Sequence, residues 1–128
     1  MLHLDTESDF WQARSSLVAT DPSGADIAMP EEVRIFTTSG VPHAPFRPLT
    51  KPVMQLPGNP LGYGAFMRAL LVALFEWAEH GTAPPDSRFP SRAAGTLVPL
   101  AEARRIFPAA GSKLPERPER AAAARSFG

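Results

Sequence analysis

Proline, more than any other residue, decides where this chain of 128 residues can carry regular structure. It has 15 prolines, roughly twice the usual share of about 5%. Each one fixes its own φ and removes a backbone donor, so neither a helix interior nor a central strand runs through it. Pro42, Pro45, Pro48, Pro52, Pro57 and Pro60 fall in one stretch, which makes residues 40–60 a long loop. Pro84, Pro85 and Pro90 punctuate a second loop over 82–90. Pro99 and Pro108 bracket a short window with helical spacing. Regular structure is confined to the intervals between these loops.

Residues 1–5 predict a short buried strand. Residues 8–18 predict a helix, with Phe10, Trp11, Ala13, Leu17 and Val18 near helical spacing. Thr20-Asp21-Pro22-Ser23-Gly24 is a turn: Asp bonds its own backbone, Pro fixes φ, and Gly permits positive φ. Val33-Arg34-Ile35-Phe36-Thr37-Thr38, rich in β-branched and aromatic residues, predicts a second strand. Over 62–80, Phe66, Leu70, Ala73, Leu74 and Trp77 recur on one helical face. Met67, Leu71, Phe75 and Ala78 widen that face, and Gly81 suits the left-handed position after the last turn. So broad an apolar face predicts cover on two sides, with Trp11, Trp77, Phe66 and Phe75 in the core. Residues 95–99 read as a short extended segment and 99–107 as two helical turns. From residue 113 the chain is polar and punctuated by proline, with too little apolar surface to offset the entropy of ordering. The expectation is one α/β unit over 1–112 with long Pro-rich loops, then a flexible tail over 113–128.

Charge and composition narrow the function. Thirteen basic and thirteen acidic residues cancel. Outside an Arg-rich tail no basic patch marks a nucleic-acid partner. Without cysteine there is no disulfide framework and no thiolate metal site, and the compartment stays undecided. No basic segment followed by an apolar one opens the chain, so no signal peptide is expected. The longest apolar stretch, 66–78, is interrupted by Arg68 and Glu76 and is too short to cross a bilayer. His3, His43 and His80 lack the H-x-x-x-H spacing of a metal site, and no cofactor is expected.

The chemistry concentrates after the two strands. Thr6-Glu7-Ser8-Asp9 follows the first, and Ser39-Gly40-Val41-Pro42-His43 follows the second. A carboxylate after one strand and a histidine after the next form the second half of the chain order Ser…Asp/Glu…His. The G-x-S-x-G elbow that completes this order occurs nowhere in the chain. His43 reads as a general base; the plain alternative is an ordinary loop histidine. Asp9 reads as the carboxylate that orients it. The plain alternative is a helix cap, because Thr6-x-x-Asp9 matches a capping box. Glu7 competes for the same role. His3, within a strand, and His80, at a helix end, read as structural. Phe46 reads as a candidate for the lining of a substrate mouth by loop position alone, and Arg88 reads as a donor that fixes its loop.

Taken in order, these segments resemble the C-terminal region of a bacterial family of α/β-hydrolase domain proteins. The likeness rests on Thr6-Glu7-Ser8-Asp9-Phe10-Trp11, Thr20-Asp21-Pro22-Ser23-Gly24, Val33-Arg34-Ile35-Phe36 and Gly40-Val41-Pro42-His43. It continues through Asn59-Pro60-Leu61, the Leu-rich run from Arg68 to Leu74, Trp77, Gly81-Thr82 and Pro84-Pro85-Asp86-Ser87-Arg88-Phe89-Pro90. The last group is the most specific, and the likeness spans most of 1–115. The family more often has Gly-Thr-Gln-His where this chain has Gly40-Val41-Pro42-His43, and Pro42 stiffens that loop. The resemblance implies the C-terminal portion of an α/β-hydrolase fold: the last two strands, a connecting helix and a closing helix. It implies hydrolysis of a small ester or amide by a Ser-His-acid triad, with His43 and Asp9 (alternatively Glu7) in this chain and the serine outside it. Alone, such a chain is expected to be inactive and to self-associate through exposed strand edges. A non-catalytic scaffold or interaction module derived from the same fold is the alternative.

Overall fold

A computed structural model describes residues 1–44 and 60–106. Strand β1 (Leu2–Thr6) runs directly into helix α1 (Glu7–Gln12), followed by a 3₁₀ turn (Ser15–Val18) and strand β2 (Arg34–Thr38). Helix α2 (Gly64–His80) and the short helix α3 (Leu100–Ile106) come after the loop. The two strands pair in parallel, Leu2 opposite Arg34 through Thr6 opposite Thr38. A parallel pair needs a crossover of a dozen or more residues, which the segment between β1 and β2 supplies. This α/β arrangement agrees at a coarse level with the class expected from the sequence.

The helix expected over 8–18 is two pieces. Arg14 lies in the left-handed region at φ 55°, ψ 44°, which stops α1 and starts the 3₁₀ turn at Ser15. A non-glycine residue pays a steric penalty there. At the exit of α2, Gly81 adopts φ 69° and its N–H bonds back to the last turn, the termination that Gly81 predicts.

The loop over 82–90 extends the sheet. Arg88 pairs in parallel with Phe36. Its N–H donates to Ile35 O, its carbonyl accepts from Thr37 N, and Ser87 Oγ accepts from Ile35 N. Arg88 therefore fixes its loop through its backbone. Among the described residues no strand pairs with the other edge of β1. The extended segment expected over 95–99 is instead part of a turn, in which Thr96 and Leu97 donate to Ser91 O at 3.0 and 2.9 Å. The carboxylate of Asp26 anchors that turn by accepting the N–H groups of Arg92 and Ala93 at 2.9 and 2.8 Å.

The interior gathers where the strands end. Ile35, Phe36, Ala19 and Val41 are buried, together with the polar Asp5, Thr6, Asp9, Ser15 and Thr20. Helix α2 lies over β2 through an edge-to-face contact of Phe66 with Phe36 (6.0 Å) and through Arg34 stacked on Trp77 (5.4 Å). Among the described residues its apolar face is not covered on two sides. Leu71, Val72 and Phe75 are exposed, and Phe66 sits at the border of the core. The expected core placement of Phe66 and Phe75 is thus corrected: among the described residues one strand pair is too narrow to cover a helix of this breadth. Phe46 and the tail over 113–128 lie outside the described residues. Among the described residues no helix is long and apolar enough to cross a membrane.

Candidate functional site

Parallel pairing in register brings the two candidate loops together. Thr6 and Thr38 end their strands side by side, so α1 and the loop 39–43 leave the same edge of the sheet. Ligand sites of parallel sheets lie at this carboxyl edge. Asp9 stands in the first turn of α1 and His43 at the end of the described loop. Asp9 Oδ1 and His43 Nδ1 are 2.6 Å apart. The Asp9 side chain is 11% exposed and the His43 ring 74% exposed, so the carboxylate is set inside the fold and the imidazole faces outward.

The other oxygen of Asp9 serves the helix. Thr6 donates both its N–H and its hydroxyl to Asp9 Oδ2, each at 2.8 Å. This is the reach-back of a capping box. The capping and orienting readings of Asp9 are therefore not alternatives, because one carboxylate has an oxygen for each. Burial pushes the Asp9 carboxyl up, but the hydrogen bonds from Thr6 and His43 and the attraction of the imidazole outweigh it. The net effect holds Asp9 below the ordinary aspartate range. An ionised carboxylate only accepts, so Nδ1 of His43 must carry the proton.

Glu7 has a different partner: its Oε2 accepts the N–H of Gly40 at 2.5 Å. Gly40 is at φ 69°, a turn conformation that glycine adopts without strain. Glu7 thus ties the start of the histidine loop to α1. Tyr63, next to the first residue of α2, donates its hydroxyl to the carbonyl of His43 at 2.9 Å. The sequence carried little signal for Tyr63, since its partner is a backbone oxygen. His3 Nε2 lies 2.9 Å from Asp5 Oδ2 without hydrogen-bond alignment. His80 sits in the last turn of α2 with its ring against Phe75 at 5.9 Å. Neither approaches the Asp9–His43 pair through a described contact, and no group of three His, Cys, Asp or Glu among the described residues is placed to hold a metal ion.

Beside the pair lies a cavity of about 470 Å³. Asp5, Thr6, Asp9, Ala13, Ser15, His43 and Tyr63 line it, with Leu2 and Leu4 from β1 and Met67, Leu70, Leu71 and Leu74 from α2. Alternation along a strand puts Leu2 and Leu4 on one face, and the four α2 residues follow helical spacing. Comparison with protein-family models, with curated proteins and with solved structures yields no match for this chain.

Proposed function

We propose that this chain supplies the acid and the histidine of a Ser-His-acid acyl hydrolase, acting on a carboxylic ester or amide as the C-terminal portion of an α/β-hydrolase fold. The observation that supports this reading is the 2.6 Å approach of Asp9 Oδ1 to His43 Nδ1 at the carboxyl edge of two parallel strands. Asp9 holds the proton on Nδ1 and leaves Nε2 free as a base. When a serine hydroxyl attacks the acyl carbon, Nε2 takes its proton and then passes it to the leaving group, while ionised Asp9 stabilises the transient imidazolium. The serine and the oxyanion donors come from outside this chain. On this reading the open edge of β1 is where further strands pair, and in the isolated chain it is where copies associate.

The test has two arms. The chain alone is expected to show no turnover of p-nitrophenyl esters above background; saturable turnover sensitive to phenylmethylsulfonyl fluoride refutes the absent nucleophile. When the chain is joined to the serine-bearing part, supplied by upstream coding sequence or by a related hydrolase, His43→Ala is expected to lower kcat by several orders of magnitude. Unchanged turnover in that variant ends the catalytic reading of His43.

A further inference from the structure

The cavity beside Asp9 and His43 has the build of a small-molecule site: concave, within the usual size range of about 300–1,000 Å³, and apolar apart from a few polar groups. Its apolar side chains are all aliphatic. Leu2 and Leu4 form one wall, and Met67, Leu70, Leu71 and Leu74 form the other. From Met67 to Leu74 the helical wall runs roughly 10 Å at about 1.5 Å per residue. Leu71 and Leu74 still face solvent, at 58% and 36% exposure, so the slot has apolar surface left for an occupant to cover. We propose that it is an acyl pocket, taking the linear, medium-length aliphatic chain of a neutral ester or amide whose carbonyl sits by His43. This assignment rests on the acyl-transfer reading above and adds the substrate class to it.

Two features favour the slender aliphatic chain of a neutral substrate. Two walls of leucine and methionine suit a linear chain, the rings that line the cavity being His43 and Tyr63, and methionine adapts to the shape of what it contacts. The charged side chains that line the cavity beside His43, Asp5 and Asp9, are both acidic, which suits a neutral substrate over an anionic one. Ser15 also lines the cavity. Ser15 is 93% buried (7% relative exposure) and lies past the far end of α1 from Asp9. A macromolecular partner docking on α2 would also cover Val72, which is 63% exposed and lies outside the cavity. That residue is therefore the control.

Octanamide and acetamide, neutral acyl probes, are titrated into the full chain and followed by methyl NMR. About fourfold tighter binding per buried methylene makes octanamide at least about a hundredfold the stronger ligand, with shifts at Leu70, Leu74 and Met67. Leu71→Gln is expected to weaken octanamide by about fourfold or more, while Val72→Gln leaves it unchanged. Both sites are solvent-exposed, so neither variant threatens the fold. Equal binding of the two amides, or equal losses in the two variants, overturns the proposal; the second outcome points to a macromolecular partner on the helix face. A second measurement uses the joined enzyme: Leu71→Gln should erase the preference for octanoyl over acetyl p-nitrophenyl esters, and a preserved preference also overturns the pocket. The two readings fail separately. His43→Ala should still bind octanamide while losing turnover. Turnover that survives His43→Ala removes the base, and absent chain-length preference removes the pocket.

Discussion

Replacing Asp9 by asparagine tests stability and chemistry at one position. The carboxylate accepts from Thr6 N–H and Thr6 hydroxyl on one oxygen and contacts His43 on the other. In Asp9→Asn the amide oxygen can keep the Thr6 bonds, but they lose their charge assistance. Hydrogen bonds to charged groups contribute about 1.5–3 kcal/mol and neutral ones about 0.5–1.5 kcal/mol. The exposed His43 side adds little to stability because solvent screens it. The expected net loss is therefore about 1 kcal/mol, nearly all from the Thr6 side.

The sign of the pH dependence follows from linkage. The Asp9 carboxyl titrates lower in the folded chain than its ordinary value of 3.8, so between the two values the unfolded state binds the extra proton. Its contribution is fully present above the ordinary value and fades as pH falls through the folded one. Urea unfolding of both proteins at neutral pH and across the acid range should show the difference shrinking toward zero in acid. In the same variant the amide NH₂ faces Nδ1, so the proton should move to Nε2, which ¹⁵N NMR of the imidazole reads directly. In the joined enzyme that wrong tautomer should cost up to about 10⁴ in kcat. An acid limb identical in the two proteins, together with Nδ1 still protonated in the variant, would refute the reasoning.

Three further expectations are independent of catalysis. Phe36→Ala removes a side chain that is 4% exposed and packed against Phe66; it should lower unfolding free energy by about 3 kcal/mol in chemical denaturation. Gly81→Ala meets open space but must hold φ 69°, so a loss of about 1 kcal/mol should appear in thermal unfolding followed by circular dichroism. The Asp26 carboxyl is held low first by the Arg92 N–H and then by the Ala93 N–H, so in Asp26→Ala both amides should lose their protection from hydrogen exchange while those of β2 keep theirs.

The sequence made the strands and the exit of α2 legible because those signals are local: β-branched runs, helical spacing and a glycine stop. It also brought out the two loops that meet, since acid and histidine each follow a strand. The break at Arg14 left no trace, because nothing in its residue type marks a left-handed turn. The contribution of residues 87 and 88 to the sheet was hidden because it is made by backbone groups and one serine hydroxyl. The roles of Tyr63 and Glu7 were obscured in the same way, since their partners are the carbonyl of His43 and the N–H of Gly40. The two-sided cover expected for α2 failed for a different reason. Periodicity reports how wide an apolar face is, but not whether the elements packed beside it, here a two-stranded sheet among the described residues, are broad enough to bury it.

The two members of the pair are held with unequal rigidity, and this has a consequence for the chemistry. Asp9 is fixed by Thr6, whose own position is set by the strand end it shares with Thr38. Its orientation is thus built into the sheet and helix before any partner arrives. His43 is held by Asp9 at one ring nitrogen and by Tyr63 at its carbonyl, with the rest of the ring open to solvent. Electrostatic preorganisation requires both groups to be locked and water to be excluded. The described residues meet that requirement for Asp9 and leave it open for His43. On the proposed acyl-hydrolase reading, a surface that closes over His43 would therefore do more than deliver a serine. By removing water from one face of the imidazole it would strengthen the hydrogen bond to Asp9, which at a solvent-exposed ring carries little energetic weight.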